Sequence, residues 1–171
     1  AFYGPKIDVH IKDTLKRDWQ MATIQLDFQM PENFDLTYEG SDNKKHRVVM
    51  IHRAIFGTFE RFIGILVEHF AGKFPLWINS AQIIVMTLTE KNKKYGARVV
   101  EKLKANRLRV EFDDSNETIS KKVREAQIMK VNYMITVGDK EEEKNTLAVR
   151  TRDGKVMFNI KLDDFIKELR K

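Results

Sequence analysis

The clearest pattern of apolar and polar positions runs over residues 50–70, M-I-H-R-A-I-F-G-T-F-E-R-F-I-G-I-L-V-E-H-F. Residues 48–51 form a continuous apolar run, which predicts a buried strand. A turn follows at Gly57. Phe59, Phe62, Ile63, Leu66, Val67 and Phe70 then recur at helical spacing and predict an amphipathic helix with Thr58 as its N-cap. Upstream, Ile7, Val9 and Ile11 alternate after a Gly4-Pro5 turn and predict a half-buried strand. Residues 19–28 alternate again, with Trp19, Met21, Thr23 and Gln25 on one face and Ala22, Ile24, Leu26 and Phe28 on the other. Pro31 ends that strand. Residues 34–38 read as a short extended or irregular piece, residues 40–45 as a charged turn, and residues 47–51 as the entry to the central stretch. Strands joined by tight turns and followed by a helix predict an antiparallel sheet packed against that helix.

The rhythm changes behind residues 72–79, where Gly72 and Pro75 interrupt the pattern. This places a domain boundary between 76 and 77, giving domains 1–76 and 77–171. Strands are predicted at 82–88, 108–112, 131–137 and 147–151, and helices at 91–104, 118–129 and 162–169. The second helix carries Ile119, Val123, Ala126 and Ile128 on its apolar face. Strands alternating with helices imply right-handed β–α–β units on a mainly parallel sheet. The fold class expected is therefore mixed: an α+β antiparallel part, then an α/β domain.

Composition narrows the chemistry. The 171 residues contain no cysteine, which excludes disulfides and thiolate metal sites within this chain. No run of eighteen apolar residues is present, and the first residues do not resemble a signal peptide, so a cytoplasmic protein with no membrane partner is expected. The net charge of +6 and an isoelectric point near 9.4 suit an anionic partner such as nucleic acid. The absence of an initiating Met suggests a piece of a longer chain. There is no glycine-rich phosphate loop, no H-E-x-x-H and no trustworthy Ser-His-Asp order.

A few residues sit where local structure does not ask for them. Arg61 falls in the first turn of a helix, where the dipole disfavours a cation. Beside free N–H groups it suits a phosphate; pairing with Glu60 is the alternative. His52 closes an apolar strand, as a core residue or as a ligand. Lys6 follows Pro5 at a rigid turn, with Tyr3 nearby, and is either exposed or a phosphate or carboxylate clamp. Gln20, Thr23, Gln25 and Asp27 give the second strand a polar character. His10 and His52 lack partners at metal-ligand spacing. In L-A-V-R-T-R, Arg150 and Arg152 lie on one strand face, with an acidic loop at 139–143 close in sequence; arginines so placed can contact RNA phosphates or base edges.

Taken together, A-F-Y-G-P-K-I-D, T-I-Q-L-D-F and M-I-H-R-A-I-F-G-T-F-E-R-F-I-G-I-L resemble the closing segment of the threonyl-tRNA synthetase catalytic domain, a class II aminoacyl-tRNA synthetase. The G-x-x-E-R-F element resembles motif 3. From Gln82 onward, with V-G-D-K-E and A-V-R-T-R-x-G-K, the chain resembles that family's anticodon-binding domain. The resemblance implies a three-layer α/β anticodon-binding domain behind a fragment of the class II antiparallel sheet and its motif 3 helix. It implies ATP-dependent activation of threonine and transfer to tRNA(Thr). Arg61 and Lys6 are expected in the catalytic site, Arg61 on ATP phosphates. Tyr3, Gln20, Gln25 and Thr58 are expected to line the ATP and threonine pocket, and Asn116, Glu141 and Arg150 to contact the anticodon.

His52 is expected as one ligand of a Zn2+ ion, and Mg2+ to accompany ATP. A site that binds the threonine hydroxyl rejects valine far better than an apolar pocket does, which is the logic of the zinc. The resemblance also implies a homodimer for the full-length protein. The remaining zinc ligands and motifs 1 and 2 would lie upstream of Ala1, and W-Q-M-A-T-I-Q departs from the usual W-Q-C-G-T-I-Q at Met21 and Ala22. This chain alone is therefore expected to be incomplete as an enzyme. The alternative is a non-catalytic tRNA-binding protein derived from a synthetase.

Overall fold

The computed structural model describes residues 1–170. The chain divides into two compact units, Ala1–Gly72 and Lys73–Lys171. The break falls between 72 and 73, not between 76 and 77. The reason is local: the Phe74 carbonyl accepts from Asn132 Nδ2 at 3.1 Å and Arg152 Nη1 at 2.8 Å, and the Leu76 carbonyl accepts from Gln82 Nε2 at 2.8 Å. The segment through Pro75 is thereby tied to the second unit.

In the first unit, β1 (Lys6–Lys12), β2 (Asp18–Asp27) and β5 (Met50–Ala54) form an antiparallel sheet in the order β1-β2-β5. Between β2 and β5 lie a short helix α1 (Gln29–Asn33) and a hairpin of β3 (Thr37–Glu39) with β4 (Lys45–Arg47). The strand expected over 47–51 is thus two strands serving different sheets. Helix α2 (Phe59–His69) starts where expected, with Thr58 Oγ1 accepting from the Arg61 N–H at 3.3 Å.

Two burial expectations fail here. Ile51 is 62% exposed, so β5 is not a buried strand. Phe62, Leu66 and Phe70 are half-buried, whereas Phe59, Ile63 and Val67 are exposed. The contacts of α2 fall on one flank, where the Phe62 ring stacks on Phe56 with centroids 4.6 Å apart and Arg61 reaches β2.

Strand β2 carries a bulge. Val9 faces Ala22 but His10 faces Gln20, so Met21 is the extra residue. Simple alternation puts Gln20 and Gln25 on opposite faces. The bulge restores Gln20 to the face that carries Thr23 and Gln25.

The second unit is a three-layer sandwich. Its five strands are β6 (Ile83–Thr87), β7 (Val110–Asp113), β8 (Tyr133–Val137), β9 (Leu147–Thr151) and β10 (Val156–Ile160), ordered β10-β9-β8-β6-β7. Strands β7, β6 and β8 are parallel. Strand β9 runs against both β8 and β10, so β10 shares the direction of the first three. Helices α3 (Lys93–Ala105) and α6 (Leu162–Glu168) cover one face, where Ile83, Val85, Val99, Leu103, Ile135, Val149 and Phe165 form the core. Helix α4 (Ile119–Ile128) covers the other, packing Ala126 against Ile84, Met86 and Met134. Burial of β6 on both sides explains its unbroken apolar run. Ile128 is 68% exposed and lies outside the face assigned to it. Residues 139–144 form a short helix α5 (Asp139–Lys144) in place of the expected loop, and β10 follows an Asp153-Gly154 turn.

One buried cation fixes the sheet. Lys122 on α4 is 1% exposed. Its ammonium donates to the carbonyls of Thr87 and Asp113, each at 3.1 Å, and lies 3.4 Å from the Asp113 carboxylate. Those carbonyls end the neighbouring strands β6 and β7, so one charge satisfies both strand ends. Burial opposes ionisation of Asp113, but the Ser115 hydroxyl and N–H and the Lys122 ammonium outweigh it and hold its carboxyl below the usual range. Replacing Lys122 with Met leaves both carbonyls and the carboxylate without their cation. The expected loss, measured by chemical denaturation, is about 3 kcal/mol. Stability equal to wild type would show that the ammonium contributes nothing net.

Candidate functional site

Polar side chains gather on one face of the β1-β2-β5 sheet. Lys6 is directly opposite Gln25, and Gln25 is opposite His52. Residues directly opposed across strands share a face, so these three make one row. The next row holds Asp8, Thr23 and Ala54.

Asp8, which the sequence did not single out, organises the group. Its Oδ2 lies 2.7 Å from Lys6 Nζ, and its Oδ1 accepts from Gln20 Nε2 and Thr23 Oγ1, each at 2.7 Å. The hydrogen bond from Lys6, then that from Thr23, holds the Asp8 carboxyl below its ordinary range; the same bond raises Lys6. Tyr3 donates its hydroxyl to Gln25 Oε1 at 3.4 Å. The structure therefore brings together Tyr3, Lys6, Gln20 and Gln25. A sheet face that offers an ammonium, two amides and a phenol suits a polar, anionic small molecule.

Arg61 is held from the side of α2. Its Nη1 donates to the Gln20 carbonyl at 2.7 Å, and its guanidinium lies 5.7 Å from the centroid of the Trp19 ring. Gln20 thus links Arg61 to the polar face: its carbonyl accepts from Arg61 and its side chain reaches Asp8. Glu60, the alternative partner, forms no ion pair with Arg61 among the described residues. Beside Arg61 is a cleft of about 260 Å3 lined by Asp13, Arg17, Trp19, Glu60, Ile65 and Glu68 among others. Thr58 is accounted for as the N-cap of α2.

His52 pairs with a buried carboxylate. Its Nε2 lies 3.0 Å from Asp27 Oδ2, while Asp27 Oδ1 accepts from the N–H groups of Gln29 and Met30. The Met30 N–H, then the His52 bond, keep the Asp27 carboxyl low. An ionised carboxylate can only accept, so Nε2 carries the proton in this bond and Nδ1 remains available. A carboxylate behind the imidazole is the arrangement that orients a metal-binding histidine. No group of three or more His, Asp or Glu is placed to hold a metal among the described residues, and His10 does not join His52.

In the second unit Glu141 and Arg150 line one cleft of about 390 Å3, together with Leu88, Ile119, Thr136 and Phe158 among others. Glu141 also caps α5, its Oε2 accepting from the Gly138 N–H at 3.0 Å. Arg150, on β9, forms no side-chain hydrogen bond or ion pair with the described residues. Asn116 lies in the exposed loop before α4 and is not among the residues lining this cleft. Arg152 does not act with Arg150: it lies past the end of β9, donating to the Phe74 carbonyl in a different depression.

A family model described as an anticodon binding domain matches residues 82–171. The chain belongs to that family. Residues 1–70 match the model of the tRNA synthetase class II core domain of the G, H, P, S and T group. The threonine–tRNA ligase of Clostridium tetani is 58% identical over 169 residues, covering 99% of this chain and 26% of that protein. That of Thermotoga neapolitana is 53% identical over 171 residues, covering 100% of this chain and 27% of that protein. The chain spans about a quarter of the length of the curated relatives it matches. A crystal structure of the RNA binding domain of threonyl-tRNA synthetase from Cryptosporidium parvum Iowa II superposes with a TM-score of 0.86 at 39% identity, covering 99% of this chain and 43% of that one. The tail of a class II core followed by an anticodon-binding domain is therefore the organisation of this chain, as the sequence resemblance implied. No helix among the described residues is long and apolar enough to cross a membrane.

The first unit also contains a carboxylate that makes its stability depend on acid. Asp13 accepts from Trp19 Nε1 at 2.9 Å, from the Arg17 N–H at 2.8 Å and from Arg17 Nε at 2.6 Å. The Trp19 bond, followed by those from Arg17, lowers its pKa from 3.8 to about 2. A carboxyl depressed on folding stabilises the fold above its unfolded pKa and loses that contribution as pH falls through the folded one. The first unit should thus weaken as pH drops from about 4 towards about 2, and D13N should remove that part of the dependence. Carbon NMR of the Asp13 carboxyl reads the midpoint directly, and an ordinary midpoint near 3.8 would refute the assignment.

Proposed function

We propose that this chain works within a threonine–tRNA ligase, which activates threonine with ATP and transfers it to tRNA(Thr). The observation that supports it most is co-linear similarity over essentially the whole chain to threonine–tRNA ligases, with a class II core match before the anticodon-binding match. In this reading the first unit contributes one wall of the activation site. Attack of the threonine carboxylate on the ATP α-phosphate needs positioning and charge stabilisation more than an acid or a base. Arg61 contacts ATP phosphates, Lys6 meets the anionic adenylate, and Tyr3, Gln20 and Gln25 form the polar floor, with Thr58 at the rim. Mg2+ accompanies ATP as counter-ion.

His52 fits a single corner of a zinc site. Its Nε2 is committed to buried Asp27 and its Nδ1 is free to bind a metal. This chain holds no cysteine, so the remaining corners come from elsewhere in the ligase. Bound there, Zn2+ would supply a Lewis-acidic contact for the threonine hydroxyl and so discriminate against valine. In the second unit, Glu141 and Arg150 form the centre of the anticodon contact, with Asn116 at its margin. The full-length ligase is read as a cytoplasmic homodimer.

The test uses the full-length ligase. R61A should lower threonine-dependent ATP–pyrophosphate exchange by about a hundredfold or more, as loss of one transition-state charge contact does. R150A should leave exchange near wild type and weaken tRNA(Thr) binding by about tenfold. A full-length protein with no exchange at all would refute the ligase reading, and equal loss of exchange and binding in R150A would make that arginine structural.

A further inference from the structure

The cleft that holds Glu141 and Arg150 has an aromatic wall with no assigned role. Phe158 on β10 is 66% exposed, although it lies on a strand of a well-packed sheet. It has no aromatic partner among the described residues. Ordinary alternation brings it to the cleft: Val156 is opposite Arg150, and Phe158, two residues on, shares its face, so that the irregularity lies beyond it. Met157 is opposite Val149 but Ile160 is opposite Leu147, so one extra residue sits in β10. Asn159 takes a left-handed conformation, φ 55°, at that point. Asparagine tolerates this region better than most residues, and a bulge re-aims the side chains that follow it. Val156 and Phe158 both line the cleft, while Ile160 returns to the side of α6.

The cleft thus combines three kinds of contact. Arg150 supplies free guanidinium donors. Glu141 has one carboxylate oxygen fixed on the Gly138 N–H and another to offer as an acceptor. Phe158 supplies a flat apolar face. A donor, an acceptor and an exposed aromatic around about 390 Å3 match an unstacked nucleobase better than a phosphate alone, which would need only the cation. A protein helix would meet the charged pair at the cleft's centre and gain nothing from it. We infer that Phe158 is a stacking platform for one base of the single-stranded anticodon loop, the base whose edge Arg150 and Glu141 read. This rests on the anticodon reading of the same cleft.

Base–aromatic stacking contributes about 1–3 kcal/mol per base and, unlike phosphate contacts, is insensitive to salt. The experiment measures binding of the anticodon stem–loop of tRNA(Thr) to the whole chain at several salt concentrations. F158A should weaken binding by about tenfold or more, F158Y should retain most of it, and F158L should resemble F158A. The slope of affinity against salt should be the same for F158A as for wild type, because stacking releases no counter-ions. Loop bases are then replaced one at a time by abasic nucleotides. At the stacked position, wild type and F158A should bind the abasic RNA equally. Because the ring is largely exposed, the thermal midpoint of F158A should match wild type. Wild type that binds the stem–loop while F158A binds as tightly overturns the stacking role alone. Wild type that does not bind the stem–loop overturns the anticodon reading and the stacking role with it.

Discussion

A strand sends alternate side chains to opposite faces, and the polar site of the first unit depends on breaking that parity once. In the first unit the extra residue is Met21, which returns Gln20 to the face that already carries Thr23, Gln25, Lys6 and Asp8. Gln20 then bonds Asp8 with its side chain and Arg61 with its carbonyl. Without the bulge, Gln20 would point away and the link between the sheet face and α2 would be lost. In the second unit parity holds through Val156 and Phe158, which both line the Glu141–Arg150 cleft, and breaks at Asn159, which returns Ile160 to the side of α6. The same local device serves two unrelated folds because it changes where a side chain points without moving the neighbouring strands apart.

Carboxylates do the positioning. Lys6, Gln20 and Thr23 all converge on Asp8, and His52 rests on Asp27. Reading the sequence identified the residues being held; of those holding them it named Asp27 only as a polar strand position and did not single out Asp8. The asymmetry has a physical source: Asp8 and Asp27 occupy ordinary polar positions in alternating strands, and nothing in their spacing reveals that each accepts several hydrogen bonds. Their role emerges only when cross-strand register is known. Lys122 is a similar case. Its helical position looks solvated, yet its ammonium is consumed by two strand-end carbonyls.

The α/β half was more legible than the α+β half. Burial on both faces makes β6 apolar throughout, and α3 has buried residues at helical spacing, so pattern alone locates them. Where elements are short, pattern fails. The acidic run at 139–143 reads as a loop because charge density hides its helical start, although Glu141 three residues after Gly138 is the capping signal. Strand β10 was missed despite Asp153-Gly154, a hairpin turn signature, and Phe158 was missed with it. In the first unit, helical spacing correctly located α2 but misjudged its inward face. Periodicity marks which residues are apolar, whereas coverage depends on what the helix meets.

The cations of the first unit are engaged but not exhausted. Arg61 commits Nη1 to a backbone carbonyl and rests on the Trp19 ring, which leaves further guanidinium donors unassigned among the described residues. Lys6 holds one carboxylate at a half-exposed position. Side chains fixed this way lose little freedom when an anion arrives, and preorganised charge stabilises a developing transition state at less cost than charge that must first be gathered. The carbonyl contact also answers why an arginine stands in the first turn of α2 despite the helix dipole. Its guanidinium leaves the helix end for β2, so the unfavourable position concerns the residue's Cα and not its charge.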